Sequence, residues 1–414
     1  MRKATLFLAV LCLLVVFPLL LVMNSTETVY RQWEVQAIDT MKYSRDTSRA
    51  FMDNPNAEKI IDDHVASISA VGATHIAIAT PYDPEFIPVL TQWVQSARRH
   101  NLKIWFRGNF SGWEQWFGYA PIDRTTHVRM TREFILANPD LFEDGDLFSA
   151  CPECENGGQK VNYWHTSEAE SYRVFLIDSY QAAKESFAQI GKNVPANYYS
   201  MNYDVANAVM DTATTQALDG LVTIDHYVST PERLNNDIRA IAEKSGGRVF
   251  LGEFGAPIPD IHGEMTQEQQ AAWIREALER VSQNPNLEGL SYWVDRGGST
   301  AIWEEDGREK QAVSVLRDFY QSNVVKGVVK DAEQKPIAGA EITSGSYLVV
   351  TDENGAFAFP YLPIGQEVVA QKSGYTTVST PIDSPYTPLT FELGKQKNAF
   401  QVLLDEFFTI FISK

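Results

Sequence analysis

Two short stretches concentrate the side chains able to do chemistry. Leu251-Gly252-Glu253-Phe254-Gly255-Ala256-Pro257 sets one carboxylate between glycines that let a substrate approach the backbone, and Cys151-Pro152-Glu153-Cys154-Glu155-Asn156-Gly157-Gly158 sets two more beside a pair of cysteines. Carboxylates in different surroundings titrate apart, so one can give and take a proton while another stays charged as a nucleophile or a charge stabiliser. The competing readings are a salt-bridged glutamate at a strand end for Glu253 and a loop carboxylate in solvent for Glu153. Asp225-His226-Tyr227, Arg107-Gly108-Asn109, and Trp293 with Asp295-Arg296 supply further candidates at the ends of apolar runs. His226 taken alone reads as a satisfied core histidine, while Arg107 and Asn109 suit either substrate contact or the support of a carboxylate. Trp113, Trp116, Tyr119 and Trp164 crowd the intervening loops, as ligand platforms or as packing beneath a long loop. The Cys151-x-x-Cys154 spacing fits a redox pair, a local disulfide or half of a zinc site. No second cysteine pair and no His-x-His accompanies it, so no metal centre is expected.

Chemistry of this kind needs residues far apart in the chain to meet at one face, and the apolar pattern supplies a frame. Short runs at 35–38, 73–79, 103–107, 147–150, 196–200, 221–224, 248–251 and 289–293 read as strands buried on both faces. Amphipathic helix patterns occupy 57–71, 84–100, 168–190, 231–244 and 267–281. Eight strands alternating with helices predict a (β/α)8 TIM barrel of the α/β class, with a doubly wound open sheet as the competitor. No Gly-x-Gly-x-x-Gly or Walker loop follows the early strands, which removes the usual reason for the open sheet. In a barrel, reactive side chains project from the C-terminal strand ends, where Glu253, Glu153, His226, Tyr227, Arg107, Asn109 and Trp293 fall.

The hydrophobic-Gly-Glu-Phe-Gly pattern at Leu251 to Gly255, with His226-Tyr227 on the sixth strand and Trp293 on the eighth, resembles the clan A glycoside hydrolases, the cellulase-like barrels. The resemblance implies a retaining glycosidase for β-linked poly- or oligosaccharides, with Glu253 as nucleophile and Glu153 as acid/base. It implies substrate contacts from Trp293, His226, Tyr227, Arg107, Asn109, Trp113 and Trp116, with neither cofactor nor metal. The strand-four signature of that family reads Asn-Glu-Pro, and here Pro152 stands in place of the Asn, which leaves Glu155 as an alternative acid/base. Trp113, Trp116, Tyr119 and Trp164 would then offer flat faces to pyranose rings. The rival reading is a non-catalytic surface carbohydrate-binding or adhesion protein on the same barrel.

The remaining segments frame this domain. Arg2-Lys3 precedes an uncharged apolar run from Ala4 to Met23 without a small-x-small cleavage site, so residues 1–25 are expected to be an uncleaved signal anchor rather than a cleaved signal peptide. The rest of the chain would then lie outside the cytoplasm, membrane-anchored or else secreted. The barrel is expected over 26–322. Over 323–396 short strands with turn residues predict a small all-β sandwich, and Pro336-Ile337-Ala338-Gly339-Ala340, Thr351-Asp352-Glu353-Asn354-Gly355-Ala356-Phe357 and Gly374-Tyr375 resemble the carboxypeptidase regulatory-like domain. Such a domain carries no catalytic residues in that family. Residues 397–414 form an amphipathic segment rich in Phe and Leu, suited to packing on the body or to a membrane surface. A formal net charge of −18 argues against nucleic acid as a partner.

Overall fold

The computed structural model describes residues 32–157, 165–345, 347–361, 367–382, 384 and 387–396. The expectations for the anchor, the amphipathic terminal segment and Trp164 lie outside these residues. Among the described residues no helix is long and apolar enough to cross a membrane.

The continuous apolar runs form eight parallel strands: β1 (Val35–Asp39), β2 (His75–Ile78), β3 (Lys103–Phe106), β4 (Leu147–Phe148), β5 (Ser200–Asn202), β6 (Leu221–Asp225), β7 (Arg248–Phe254) and β8 (Leu287–Tyr292). Their order is β4-β3-β2-β1-β8-β7-β6-β5, so the first and last strands pair, as in a barrel. The ladder is open between β4 and β5. There the join includes one Ser149–Asn197 bridge, a bond from Phe148 N to Pro195 O of 2.9 Å, and the Ser149 hydroxyl donating to the Tyr198 carbonyl. The fifth strand accordingly starts later than its apolar run, because 196–199 packs along this seam without a ladder partner.

Helices α1 (Ala57–Ala70), α2 (Ile87–Arg99), α3 (Arg124–Ala137), α4 (Thr166–Gln189), α5 (Tyr203–Val209), α6 (Pro231–Ser245), α7 (Gln267–Val281) and α8 (Gln311–Tyr320) follow the strands in turn. Local chemistry sets their ends. Asp123 accepts from Thr126 N at the start of α3, Thr230 caps α6 ahead of Pro231, and Thr266 with Gln269 closes a capping box on α7. Inside the ring, Val35, Ala77, Trp105, Leu147, Tyr198, Leu221 and Phe250 make an apolar plug, with Trp105 set edge-on to Phe250 at 5.2 Å. The site is built on top of this plug.

Beyond α8 the periodicity changes to two. A four-stranded sheet, β11 (Tyr347–Val350), β10 (Glu341–Ser344), β13 (Glu367–Gln371) and β14 (Val378–Pro381), faces a three-stranded one, β12 (Ala356–Pro360), β9 (Val324–Asp331) and β15 (Leu389–Leu393). Val325, Val329, Ile342, Phe357, Phe359, Val368 and Phe391, drawn from both sheets, fill the space between them. This core is separate from that of the barrel, with Tyr347 packing against both. Because the apolar interiors are distinct, a fragment spanning 32–322 should fold alone. Calorimetry should find its melting temperature within a few degrees of the barrel transition in the full chain, and a collapse of that transition would show a shared core.

Candidate active site

One buried guanidinium organises the upper layer of the barrel. Arg107, just after β3, has a fully buried side chain lying over the Trp105 ring at 4.5 Å. It donates to Asp39 at the end of β1, to Ser200 Oγ of β5 at 2.7 Å, to Asp225 at the end of β6 at 3.2 Å, and it pairs with Glu253 of β7 at 2.9 Å. Burial works against its charge, and the carboxylates of Asp39, Glu253 and Asp225 outweigh it, raising the guanidinium pKa. Asp225 is itself raised well above the usual carboxylate range by burial and by Glu253, Arg107 opposing. The guanidinium supports the carboxylates and is closed to a ligand, which corrects the expectation that Arg107 contacts substrate.

Glu253 accepts from Tyr227 at 2.7 Å through its other oxygen. Its flanking glycines serve packing and not the approach of a substrate. A Cβ on Gly252 would meet Asp225 Oδ1 at 2.5 Å, and one on Gly255 would meet the Trp293 carbonyl at 2.6 Å.

Glu153 follows β4 in a left-handed backbone conformation, φ 45° and ψ 38°, a state that costs a non-glycine residue about 1 kcal/mol or more. Its amide is held by Ser200 O at 2.8 Å. Its carboxyl is pushed up to about 8 by burial and by the negative charges of Glu253 and Glu155, with Arg107 pulling the other way. One oxygen from each of Glu153, Asp225 and Glu253 lies within 4.8 Å of the others. Among these three, Asp225 and Glu253 already share Arg107, which occupies the place a cation would take.

Glu155 stands apart from that trio. It is buried, accepts from Asn202 N at 2.8 Å and from Tyr172 Oη at 3.3 Å, and burial raises its pKa. Asn109 is likewise turned into the protein, a second correction. Its amide donates to Glu114 at 2.8 Å and its carbonyl faces His127 Nε2 at 2.9 Å. Glu114 is pushed up to about 7, chiefly by burial. Burial takes His127 down to about 3, so its ring is neutral. Cys151 and Cys154 are joined as a disulfide directly above Asn109.

The aromatic and imidazole candidates divide. Trp113 is fully buried, stacked on Phe175 at 5.2 Å, and offers no face to a ligand. Trp116 is half-buried with Arg45 over its ring at 5.1 Å. The His226 ring turns away to Asp237 at 2.8 Å and stacks on Tyr203 at 4.3 Å, so of these two side chains it is that of Tyr227 that reaches Glu253. Trp293 is half-buried, with the Tyr227 ring set edge-on to it at 6.0 Å and Lys42 Nζ 5.8 Å from its centroid. Asp39, Ser200 and Glu114 were not among the candidates. A signal existed for Asp39, because it is a lone acid closing an otherwise uncharged strand, as Asp225 does on β6.

The raised acid links the site to stability. Between its ordinary value of 4.5 and about 8, folded Glu153 keeps a proton that the unfolded chain has released, so stability falls as pH rises through that window. Glu153→Gln should therefore unfold at higher urea than the wild type at about pH 8, on the order of 1–3 kcal/mol, and match it near pH 4.5. A constant difference across the range would assign the effect to packing.

No protein-family profile and no curated protein matches the chain. Among solved structures, it is similar to a GH5_18 variant from Bifidobacterium longum subsp. longum in complex with Manβ1-4GlcNAc, at 16% identity and TM-score 0.51, covering 74% of this chain and 86% of that one. A GH5_18 variant from Streptomyces cattleya in complex with the same disaccharide gives 14% identity and TM-score 0.51, over 72% of this chain and 85% of that one. The GH5_18 protein from B. longum without a named ligand gives 17% identity and TM-score 0.50, over 74% and 87%. At these identities the likeness establishes that the chain shares their barrel fold.

Proposed function

We propose that the barrel is a retaining β-glycosidase acting on poly- or oligosaccharides, with Glu253 as nucleophile and Glu153 as acid/base. The observation that carries this reading is the pair of carboxylates, one in the turn after β4 and one on β7, with an oxygen of each within 4.8 Å of the other and unequal surroundings. Carboxyl groups about 5–5.5 Å apart suit direct attack, whereas inversion needs about 6.5–9.5 Å to admit a water. Glu155 lies outside the pair, which favours Glu153 for the proton.

In the first step a Glu253 oxygen bonds to the anomeric carbon as the glycosidic bond breaks, and the departing oxygen takes the proton of Glu153. In the second a water gives its proton to Glu153, and its oxygen displaces Glu253 from the sugar. The raised pKa of Glu153 keeps it loaded at neutral pH, while Tyr227 and Arg107 orient Glu253 and match its charge. Trp293 supplies the flat apolar wall of the sugar site. Manβ1-4GlcNAc in two structural neighbours makes a β-linked oligosaccharide with an N-acetylhexosamine the first substrate class to test.

The appended sheets are read as a carboxypeptidase regulatory-like accessory domain, on the turn motifs around Pro336 and Asp352. An extracytoplasmic, anchored location is read from Arg2-Lys3 ahead of the apolar run at 4–23, together with the disulfide.

With a panel of β-linked oligosaccharides and 4-nitrophenyl β-glycosides, Glu253→Gln should abolish turnover while retaining binding, and Glu153→Gln should lose about 10²- to 10⁴-fold on the oligosaccharide. The rate should fall above about pH 8 as Glu153 loses its proton, and NMR of the first-formed sugar should show retained configuration. Full activity in Glu253→Gln, or an inverted product, would overturn the assignment.

A further inference from the structure

The loop that carries Glu153 is tied shut beneath it. Cys151 and Cys154 bracket the residue, their Cα atoms 5.3 Å apart, and their bond closes the turn in which Glu153 takes its left-handed conformation. Both sulfurs are buried, within 3.6 Å and 3.9 Å of Asn109 Nδ2 and against His127. The Cys154 carbonyl accepts from the buried Trp113 indole at 3.3 Å, and a Cβ at Gly157 would meet that same indole nitrogen at 2.4 Å. Asn109 and His127 therefore lie against the two sulfurs, while Trp113 fixes the backbone of the same loop. Two thiols cannot approach as closely as two bonded sulfurs, so reduction must push the loop away from Asn109 and Trp113.

We propose that the Cys151–Cys154 disulfide is a positioning element for the acid/base Glu153, so that catalysis requires its oxidised form. The proposal rests on the glycosidase reading of Glu153. Its chemistry is a two-electron exchange. A dithiol attacks one sulfur, the bond between Cys151 and Cys154 breaks, two protons are taken up to give two thiols, and the dithiol leaves as its cyclic disulfide. The positions of Asp39, Asp225, Glu253 and Arg107 do not pass through this loop, because the first three sit on β1, β6 and β7 and Arg107 directly follows β3. Reduction should thus disable the proton donor and spare the nucleophile.

Leaving-group chemistry separates these effects. An acidic phenol departs without a proton, whereas an unactivated phenol needs the general acid. The full chain is reduced with dithiothreitol, its two loop thiols are counted by alkylation and mass, and Cys151→Ser with Cys154→Ser serves as the reduced mimic. On a phenyl β-glycoside, kcat should fall about 10²-fold, and on the 2,4-dinitrophenyl β-glycoside of the same sugar glycosylation should change less than about three-fold. Titration of 13C-labelled glutamate carboxyls by NMR, which needs no substrate, should show the high-titrating Glu153 signal of the oxidised protein move toward the ordinary carboxylate range on reduction. Equal losses on both glycosides with a lowered melting temperature would make the bond merely structural and overturn the proposal. Unchanged rates and an unchanged titration would overturn it too. If neither redox form hydrolyses any glycoside, the glycosidase reading fails, and the titration alone still reports whether the disulfide holds Glu153.

Discussion

The upper half of the barrel depends on one cation shared by several anions. Arg107 sits with no exposed side-chain surface among Asp39, Asp225 and Glu253, so these acids exist together in an apolar ring only because the guanidinium is there. Removing one partner of a buried ion pair costs about 3–5 kcal/mol, since the other charge is left uncompensated. The constraint reaches into the sequence. Gly252 is glycine because the side chain of Asp225 fills the space where its own would be, and the aromatic plug below gives the guanidinium a face to lie on. Burial and the remaining excess of negative charge push the pKa values of Asp225 and Glu153 upward.

The two glutamates occupy different mechanical settings. Glu253 lies within a seven-residue strand paired on both sides, with its oxygens met by Arg107 and Tyr227. Glu153 follows a two-residue strand, in a strained turn that its own main-chain bonds and a disulfide hold. A nucleophile gains from a fixed position, whereas a proton donor gains from an environment that tunes its pKa, so on the proposed reading these two settings suit Glu253 and Glu153 respectively.

The strands were legible because a chain segment buried on both faces is apolar throughout, and the amphipathic helices with clear caps, α6 and α7, fell where their period placed them. Helix α3 was missed because its inward face carries His127 and Thr131, which interrupt the apolar stripe in order to serve the Asn109 network. Of the site, Glu253 and Glu153 were singled out through strand position and resemblance. The surroundings of Arg107, Asn109 and His226 were left open between alternatives, because whether a polar side chain at a strand end points at a ligand or at a neighbouring group depends on partners that the local pattern does not mark, as Arg107 and Asp39, 68 residues apart, show. Trp113 misled for a related reason, since an aromatic in a loop fills a core as readily as it faces solvent.

The seam between β4 and β5 gives the barrel a direction of give. Every other pair of neighbouring strands is joined by a ladder, and here one bridge and a few side-chain and loop bonds do that work. A sheet closed by ladders opens only cooperatively, whereas a joint with few bonds opens by itself at a smaller free energy. The barrel therefore resembles a hoop with a clasp, and Glu153 rides on the clasp while Glu253 is set in the band. Local opening at the seam therefore moves the turn that carries Glu153 and leaves Glu253 in its paired strand.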